Sequence, residues 1–505
     1  MGAREDADPG LPLKLWPCSN GEFLPPPLDE LRTEAMRRAR VAADHHARRH
    51  GWSRRRFLLS SAGMVAGLAA LESCSNDRSR STGSTRGGTF TVPESAITDP
   101  EEATTTVHTT PPTTSADPTT SSTQADPTTS SSPPRDEDVV VDVQTHFLET
   151  GGFGSGFPQS SCGEANPADC FSAEYWRDLV LAQSDTRVAV ISAVPVVADP
   201  DPLSVEAMER GRALAAELCG DGHVLIQGHA VPDVGPIEAA VAAMEEIAAA
   251  HELSAWKVYT HSPSGWYLDD HDADAPAIGQ RFLDACRATG VPTIAVHKGL
   301  SGGSPYASPV DIGPAAAANP DLRFLVYHSG YEAGNTEGPY NREGAGVDRL
   351  VRSIIEAGIG PAGNVYAELG STWRRVMGNP DEAAHVLGKL LVAFGPERIL
   401  WGTDSIWYGS PQDQIAAFRA FEITPAFQEQ FGYPALTPDV KRRILGRNAI
   451  ELLAIDVPPP TCGPAEVEGL RREAGTANRT HGPVSRRDVV TTFLREHPWV
   501  AQRTL

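Results

Sequence analysis

Between Val139 and Ile455 the chain alternates short apolar runs with longer stretches of helical periodicity. The runs are VVVDV (139–143), RVAVISAV (187–194), VLIQGHA (224–230), AWKVY (255–259), PTIAVH (292–297), RFLVYH (323–328), NVYAEL (364–369) and RILWGT (398–403). They are rich in β-branched and aromatic side chains, which pack well on a pleated surface, so each predicts a strand. Between them lie SVEAMERGRALAAELCG (ended by Gly220), PIEAAVAAMEEIAAAHE, IGQRFLDACRATG, DRLVRSIIEAG and DEAAHVLGKLLVAFG. Their apolar residues recur at three and four, the spacing of one stripe on a helix. A last helix, TPDVKRRILGRNAIELLAI, has Thr437 placed as N-cap and Pro438 in its first turn. Eight strands alternating with helices predict an α/β fold, a (β/α)8 TIM barrel. The rival, an open doubly wound sheet, would carry a Gly-rich phosphate loop after an early strand, and none is present.

Outside that region the pattern changes. Ser53-Arg54-Arg55-Arg56-Phe57-Leu58-Leu59, followed by a Gly/Ala-rich apolar run to Leu71, resembles a twin-arginine export signal. The run, about 15 residues, is shorter than the ~20 a membrane span requires. The signal region is placed at 1–75, with an unusually long stretch ahead of the arginines; Met36 would open a leader of ordinary length. Leu71-Glu72-Ser73-Cys74 approximates a lipoprotein box, but Glu72 stands where a small or apolar residue is usual. Residues 76–136 are Thr/Ser/Pro-rich and nearly free of large apolar side chains, which predicts a disordered linker. The barrel is placed at 137–457 and a short polar tail at 458–505, with one short helix near Asp488–Glu496.

The formal charge of -22 argues against nucleic acid as a partner. Seven cysteines without a C-x-x-C pair indicate neither a zinc-cluster motif nor a disulfide scaffold. Cys162 and Cys170 flank a short polar loop and are either paired or free.

In a TIM barrel the active site lies at the C-terminal ends of the strands. Those ends carry Gln144 and His146, His229, Lys257, His297, His328, Glu368 and Asp404. Strand period two puts Asp142, Gln144 and His146 on one face. Imidazoles and a carboxylate gathered in one mouth suit a divalent metal, Zn²⁺ first, with Mn²⁺ or Fe²⁺ as alternatives. A lone strand-end histidine is more often a rim or core residue; the weight comes from recurrence at four strand ends.

The first-strand motif, VHKG (296–299), VYHSG (326–330), WGTDS (401–405) and the closing ILGRNAIELL resemble the amidohydrolase superfamily. The branch contains aminocarboxymuconate-semialdehyde decarboxylase and related decarboxylases and hydrolases. The resemblance implies His146, His297 and Asp404 as metal ligands and His328 as the acid/base or electrostatic residue. It also implies a histidine where this chain has Gln144, whose amide binds through oxygen, leaves a water position, or marks a lost site. Lys257, Glu368 and Trp373 are weaker candidates for substrate contact, as are His229, His261, Trp266, Tyr267 and Trp407.

These features imply an exported metal-dependent hydrolase working through metal-activated water, with Asp404 and His328 catalytic. A metal-dependent decarboxylase of an aromatic or unsaturated acid is the enzymatic alternative, and a non-catalytic binding protein on a degenerate barrel the other. The expected partners are a small-molecule substrate and the twin-arginine export machinery. A homo-oligomer is compatible with the sequence, and an extracytoplasmic location, membrane-tethered or free, follows from the signal.

Overall fold

The computed structural model describes residues 11–15, 19–20, 22–23, 27–49, 51–58, 61–91, 138–149, 171–195, 201–261, 264–271 and 277–462. The strands are β1 (Gly88–Phe90), β2 (Val140–Thr145), β3 (Thr186–Ile191), β4 (Val224–Ile226), β5 (Gly228–Ala230), β6 (Trp256–Tyr259), β7 (Thr293–His297), β8 (Arg323–Tyr327), β9 (Val365–Glu368), β10 (Ile399–Leu400) and β11 (Phe421–Ile423). β2 to β10 run parallel in chain order, each beside the next.

The VLIQGHA run is one barrel strand broken at Gln227. Gln227 N donates to Ile191 O and Gly228 N to Ala255 O, so the break hands the ladder from β3 to β6. Closure between last and first strands comes from three backbone bonds: Val143 N to Trp401 O (3.1 Å), Asp404 N to Gln144 O (2.9 Å) and His146 N to Ser405 O (2.6 Å). The sheet is therefore a closed eight-stranded TIM barrel, in the positions the apolar runs predict.

Its interior is filled mostly by branched side chains, including Val141, Val143, Val188, Val190, Leu325 and Leu400, with the small Ala295 among them. The outer face of the strands, with Ile294, Val296, Phe324, Val326 and Ile399, packs under the helices in a separate cluster. Helices start where caps predict: Ser204 Oγ accepts from Ala207 N, and Thr437 Oγ1 from Val440 N, with Pro438 following. The last helix is continuous from Pro438 to Leu453 but carries a wider π-type turn at Arg443–Arg447.

The N-terminal region departs from expectation. The described parts of 11–91 lie on the barrel as structured chain. α1 (Glu30–Arg49), α2 (Arg54–Leu58) and α3 (Ser61–Thr82) form a helical cluster, and β1 pairs antiparallel with β11. The apolar run read as the body of an export signal becomes the first half of α3, with Leu68, Leu71 and Cys74 buried. Glu72 departs from the lipoprotein pattern because it is structural here: it accepts from Phe90 N (3.0 Å) and Thr89 Oγ1 (3.0 Å) and pairs with Arg86. Residues 76–91, assigned by composition to the linker, complete α3 and form β1; the rest of the linker, Cys162, Cys170 and the helix near 488–496 lie outside the described residues. Among the described helices none is long and apolar enough to cross a membrane.

A cross-link that the sequence does not signal joins Cys219, at the end of the 205–219 helix, to Cys462, 243 residues away. Arg187 Nη1 to Pro458 O (3.0 Å) and His223 Nε2 with Thr461 Oγ1 (2.9 Å) fasten the same PPPTC segment to the barrel.

Candidate active site

Asp142, Gln144 and His146 all turn toward the 403–404 segment. Asp142 accepts from Thr403 N (3.0 Å), from Thr403 Oγ1 and from Gln144 N (3.2 Å), so it braces the seam where the barrel closes. Burial raises its carboxyl to about 7. Gln144 Nε2 lies 3.1 Å from Asp404 Oδ1 and 3.4 Å from His146 Nε2. Its Oε1 is buried without a partner and lies against Gly370, where a Cβ would sit 2.1 Å away. Gly402 is equally constrained: a Cβ there would sit 1.7 Å from Glu368 Oε1.

Tautomers follow from the partners, since a carbonyl can only accept. His146 Nδ1 donates to Ser192 O (2.7 Å), leaving a lone pair on Nε2, and that lone pair faces Asp404 Oδ1 at 3.1 Å. Two acceptors at that distance repel unless a proton or a cation lies between them. His328 Nδ1 donates to Gly370 O (2.8 Å), so its Nε2 accepts from His297 Nδ1 (3.2 Å). His297 Nε2 is then a buried lone pair, without a partner. Burial holds His297 well below, and His328 down to about 4, so both imidazoles are neutral at neutral pH.

The donor set fits a divalent ion. Ligand atoms about 2.1 Å from a common ion stand roughly 3.3–3.5 Å apart, the scale of the contacts seen here. Ligating histidines usually donate their other N–H to a backbone carbonyl, as His146 does. The sequence-derived residues fall into two groups, Gln144–His146–Asp404 and His297–His328. Between them stand two residues from ahead of the barrel: Asn20 Nδ2 donates to Asp404 Oδ2 (2.8 Å) and Glu22 Oε2 (2.6 Å), and Glu22 Oε1 lies 3.5 Å from His297 Nδ1. Donor atoms of Glu22, His297 and His328 lie within 4.8 Å of one another, a candidate metal cluster among the described residues. The sequence reading missed Asn20 and Glu22, and no motif marks them.

Of the two neighbouring carboxyls, Glu22 keeps the proton. Burial and the Asp404 charge raise it to about 8, whereas Asp404, although buried, is held low by the polar groups that crowd its oxygens, among them the Gln144 and Asn20 amides and the Ser371 hydroxyl. His328, Ser329, Ser371 and Asp404 are four of the seven described non-glycine residues with positive φ. Such left-handed backbone costs free energy and collects at functional sites, so these strand-end turns are held for their side chains.

Lys257 is wholly buried, with Nζ 3.8 Å from the Tyr327 ring and 4.4 Å from that of Tyr259 but no hydrogen-bond partner. Burial lowers its ammonium to about 7. Glu368 sits beneath the site, accepting from His328 N (3.0 Å) and Gly370 N (2.6 Å), and burial raises it to about 8. It is a brace for the His328 turn. The His261 ring lies tilted against that of His297, centroids 4.7 Å apart, while His229 pairs with Asp201. Trp407 covers His146 at 5.9 Å. Trp373 corrects the sequence reading: its indole N–H donates to Gln414 O (2.9 Å) and its rings pack on Phe418 and Phe421, so it belongs to the outer core and not to the mouth. Trp266 likewise packs on Phe282.

A closed parallel barrel with this set of residues at its C-terminal mouth defines an amidohydrolase-type architecture. The profile of the amidohydrolase family matches residues 141–455, and the chain belongs to that family. It is thus an enzyme of the amidohydrolase superfamily. Solved structures it resembles include an uncharacterised TIM-barrel protein from Bordetella bronchiseptica (16% identity, 62% of this chain and 98% of that one, TM-score 0.39). Others are 5-carboxyvanillate decarboxylase from Sphingomonas paucimobilis (12%, 63% and 99%, 0.35) and 2,6-dihydroxybenzoate decarboxylase from Rhizobium (15%, 63% and 99%, 0.36). No curated protein matches the chain.

Proposed function

We propose that the protein is an exported metal-dependent hydrolase of small organic substrates. The observation that carries the metal is the lone pair of His146 Nε2, whose ring donates through Nδ1 to Ser192 O, turned to Asp404 Oδ1 at 3.1 Å; in the second group His297 presents Nδ1 to His328 and Glu22 and leaves Nε2 without a partner. His146, His297 and Asp404 would hold the ion, with Gln144 as a neutral fourth contact; the imidazole-rich set favours zinc. A bound divalent ion supplies a water of lowered pKa and polarises a substrate oxygen. The Asp404 carboxylate, held low, would serve as the proton acceptor for the attacking water. His328, neutral and fixed by Gly370 O, accepts a proton at Nε2 and returns it to the leaving group. Lys257 offers a buried amine with no internal partner, suited to an anionic group on the substrate.

Support for export comes from the SRRRFL pattern and from the Cys219–Cys462 bond, since disulfides persist chiefly in oxidising compartments. The deciding experiment is metal analysis of the purified full chain, alongside a screen of esters, lactones, amides and aromatic acids. Stoichiometric zinc with ester, lactone or amide cleavage, both lost in His297→Ala, is the expected result. Release of CO₂ from an aromatic acid would make it a decarboxylase; no metal and no turnover would make the barrel a binding module.

A further inference from the structure

We infer that the segment containing Ser19–Phe23 is an intramolecular plug that occupies the catalytic mouth and keeps the enzyme latent until it is displaced or removed. The inference rests on the reading of this mouth as the active site, and goes beyond it in assigning an occupant. Asn20 comes from 384 residues before Asp404, with Glu22 two residues on, and yet both stand between the two ligand groups. The Asn20 amide N–H₂ bridges the carboxylate of Asp404 and the carboxyl group of Glu22, taking up acceptor oxygens that face the mouth. Glu22 closes over His297 and lies within electrostatic reach of Lys257. A substrate approaching His297, Asp404 and Lys257 meets these two side chains first.

The insertion is shaped and anchored. Asn20 Oδ1 accepts from Glu22 N (3.1 Å) and Ser19 Oγ donates to Phe23 O (2.5 Å), two contacts that fix the described residues against one another. Phe23 is buried under the Arg375 guanidinium, 4.8 Å from its ring, and Arg32 Nη2 donates to Arg375 O (2.8 Å), tying α1 to the same spot. Leu11, Leu13 and Leu15 are buried, and Lys14 N donates to Asp413 Oδ2 (3.0 Å). The plug also precedes the arginine motif at 53–56 in the chain. Processing that removes an export signal there removes the plug with it, so a barrel folded before export would open only afterwards.

Acylation of Lys257 in the full chain tests this without reference to metal or turnover. Acetic anhydride is the probe, peptide mass spectrometry the readout, and Lys298, buried and paired with Asp311 away from the plug, the internal reference. The Asn20→Ala/Glu22→Ala chain and a separate Phe23→Ala chain are compared with wild type. Both variants should raise the Lys257 to Lys298 labelling ratio about tenfold, as the open population grows. An unchanged ratio in both overturns the plug, as does a parallel rise at both lysines, which is unfolding. Zinc affinity, by chelator competition, should be equal or tighter in the variants. A marked weakening in the Asn20/Glu22 variant alone would instead make Glu22 a metal ligand and overturn the inference. A raised ratio with no zinc and no turnover in any form leaves the plug standing and removes the hydrolase reading.

Discussion

Gln144 is where this chain parts from the pattern its other residues follow, and its geometry explains how the site tolerates the change. As placed, its N–H₂ faces His146 and Asp404, and its oxygen is stranded against Gly370 on the Glu368 side. Turned end for end, the amide would offer oxygen to an ion and direct its N–H₂ toward Glu368, satisfying both ends. Gln144→His should therefore tighten zinc about tenfold by supplying imidazole, and Gln144→Ala should weaken it without abolishing it. Chelator competition on the three proteins measures this; equal affinities would remove Gln144 from the metal. The first-strand acid and amide were legible in the sequence as one polar face. Their partners were not, because Thr403 and Asp404 reach them only when the barrel closes.

At the level of elements, strand and helix positions follow the sequence closely because each carries its own period and cap. Thr186–Ile191, Thr293–His297 and Arg323–Tyr327 lie within a residue of the expected starts. Packing of the outer helices adds what period alone does not give. His385, on the Pro380–Phe394 helix, lies among Phe427, Phe431 and Tyr433, with Nδ1 2.9 Å from the Tyr433 hydroxyl. Burial, with Lys389 nearby, lowers its imidazole to about 4. An unfolded histidine protonates near 6.5, so between those values the unfolded chain binds the extra proton and stability falls as pH drops. His385→Gln should reduce the loss of unfolding free energy between pH 7 and pH 4.5 by an amount on the order of 2 kcal/mol, seen as a smaller drop in Tm. Equal acid sensitivity in both proteins, by thermal melts at the two pH values, would place the acid-labile group elsewhere.

The whole molecule is held at two places remote from any single motif. Cys219–Cys462 closes the end of the barrel domain onto its side, and the helical cluster Glu30–Thr82 with β1 binds the opposite reach of the chain to β11. Arg54→Lys with Arg55→Lys should leave the protein in the cytoplasm, because a twin-arginine address is read by its receptor as a pair. Fractionation of cells carrying the double variant measures it; unchanged export would refute the address and leave Arg54 with its contact to Asp44, 3.6 Å away.

The order of strands and helices, the barrel, and the places of His146, His297, His328 and Asp404 at or just past strand ends were written in the sequence by itself. All of them depend on local period and on the rule that parallel barrels present their active residues at one end. Only the tertiary structure decided which lone pairs are free, that Trp373 is core, that Cys219 meets Cys462, and that Asn20 and Glu22 fill the mouth. Those outcomes come from contacts between positions hundreds of residues apart, and no local pattern along the chain encodes which distant side chain a buried polar atom will meet.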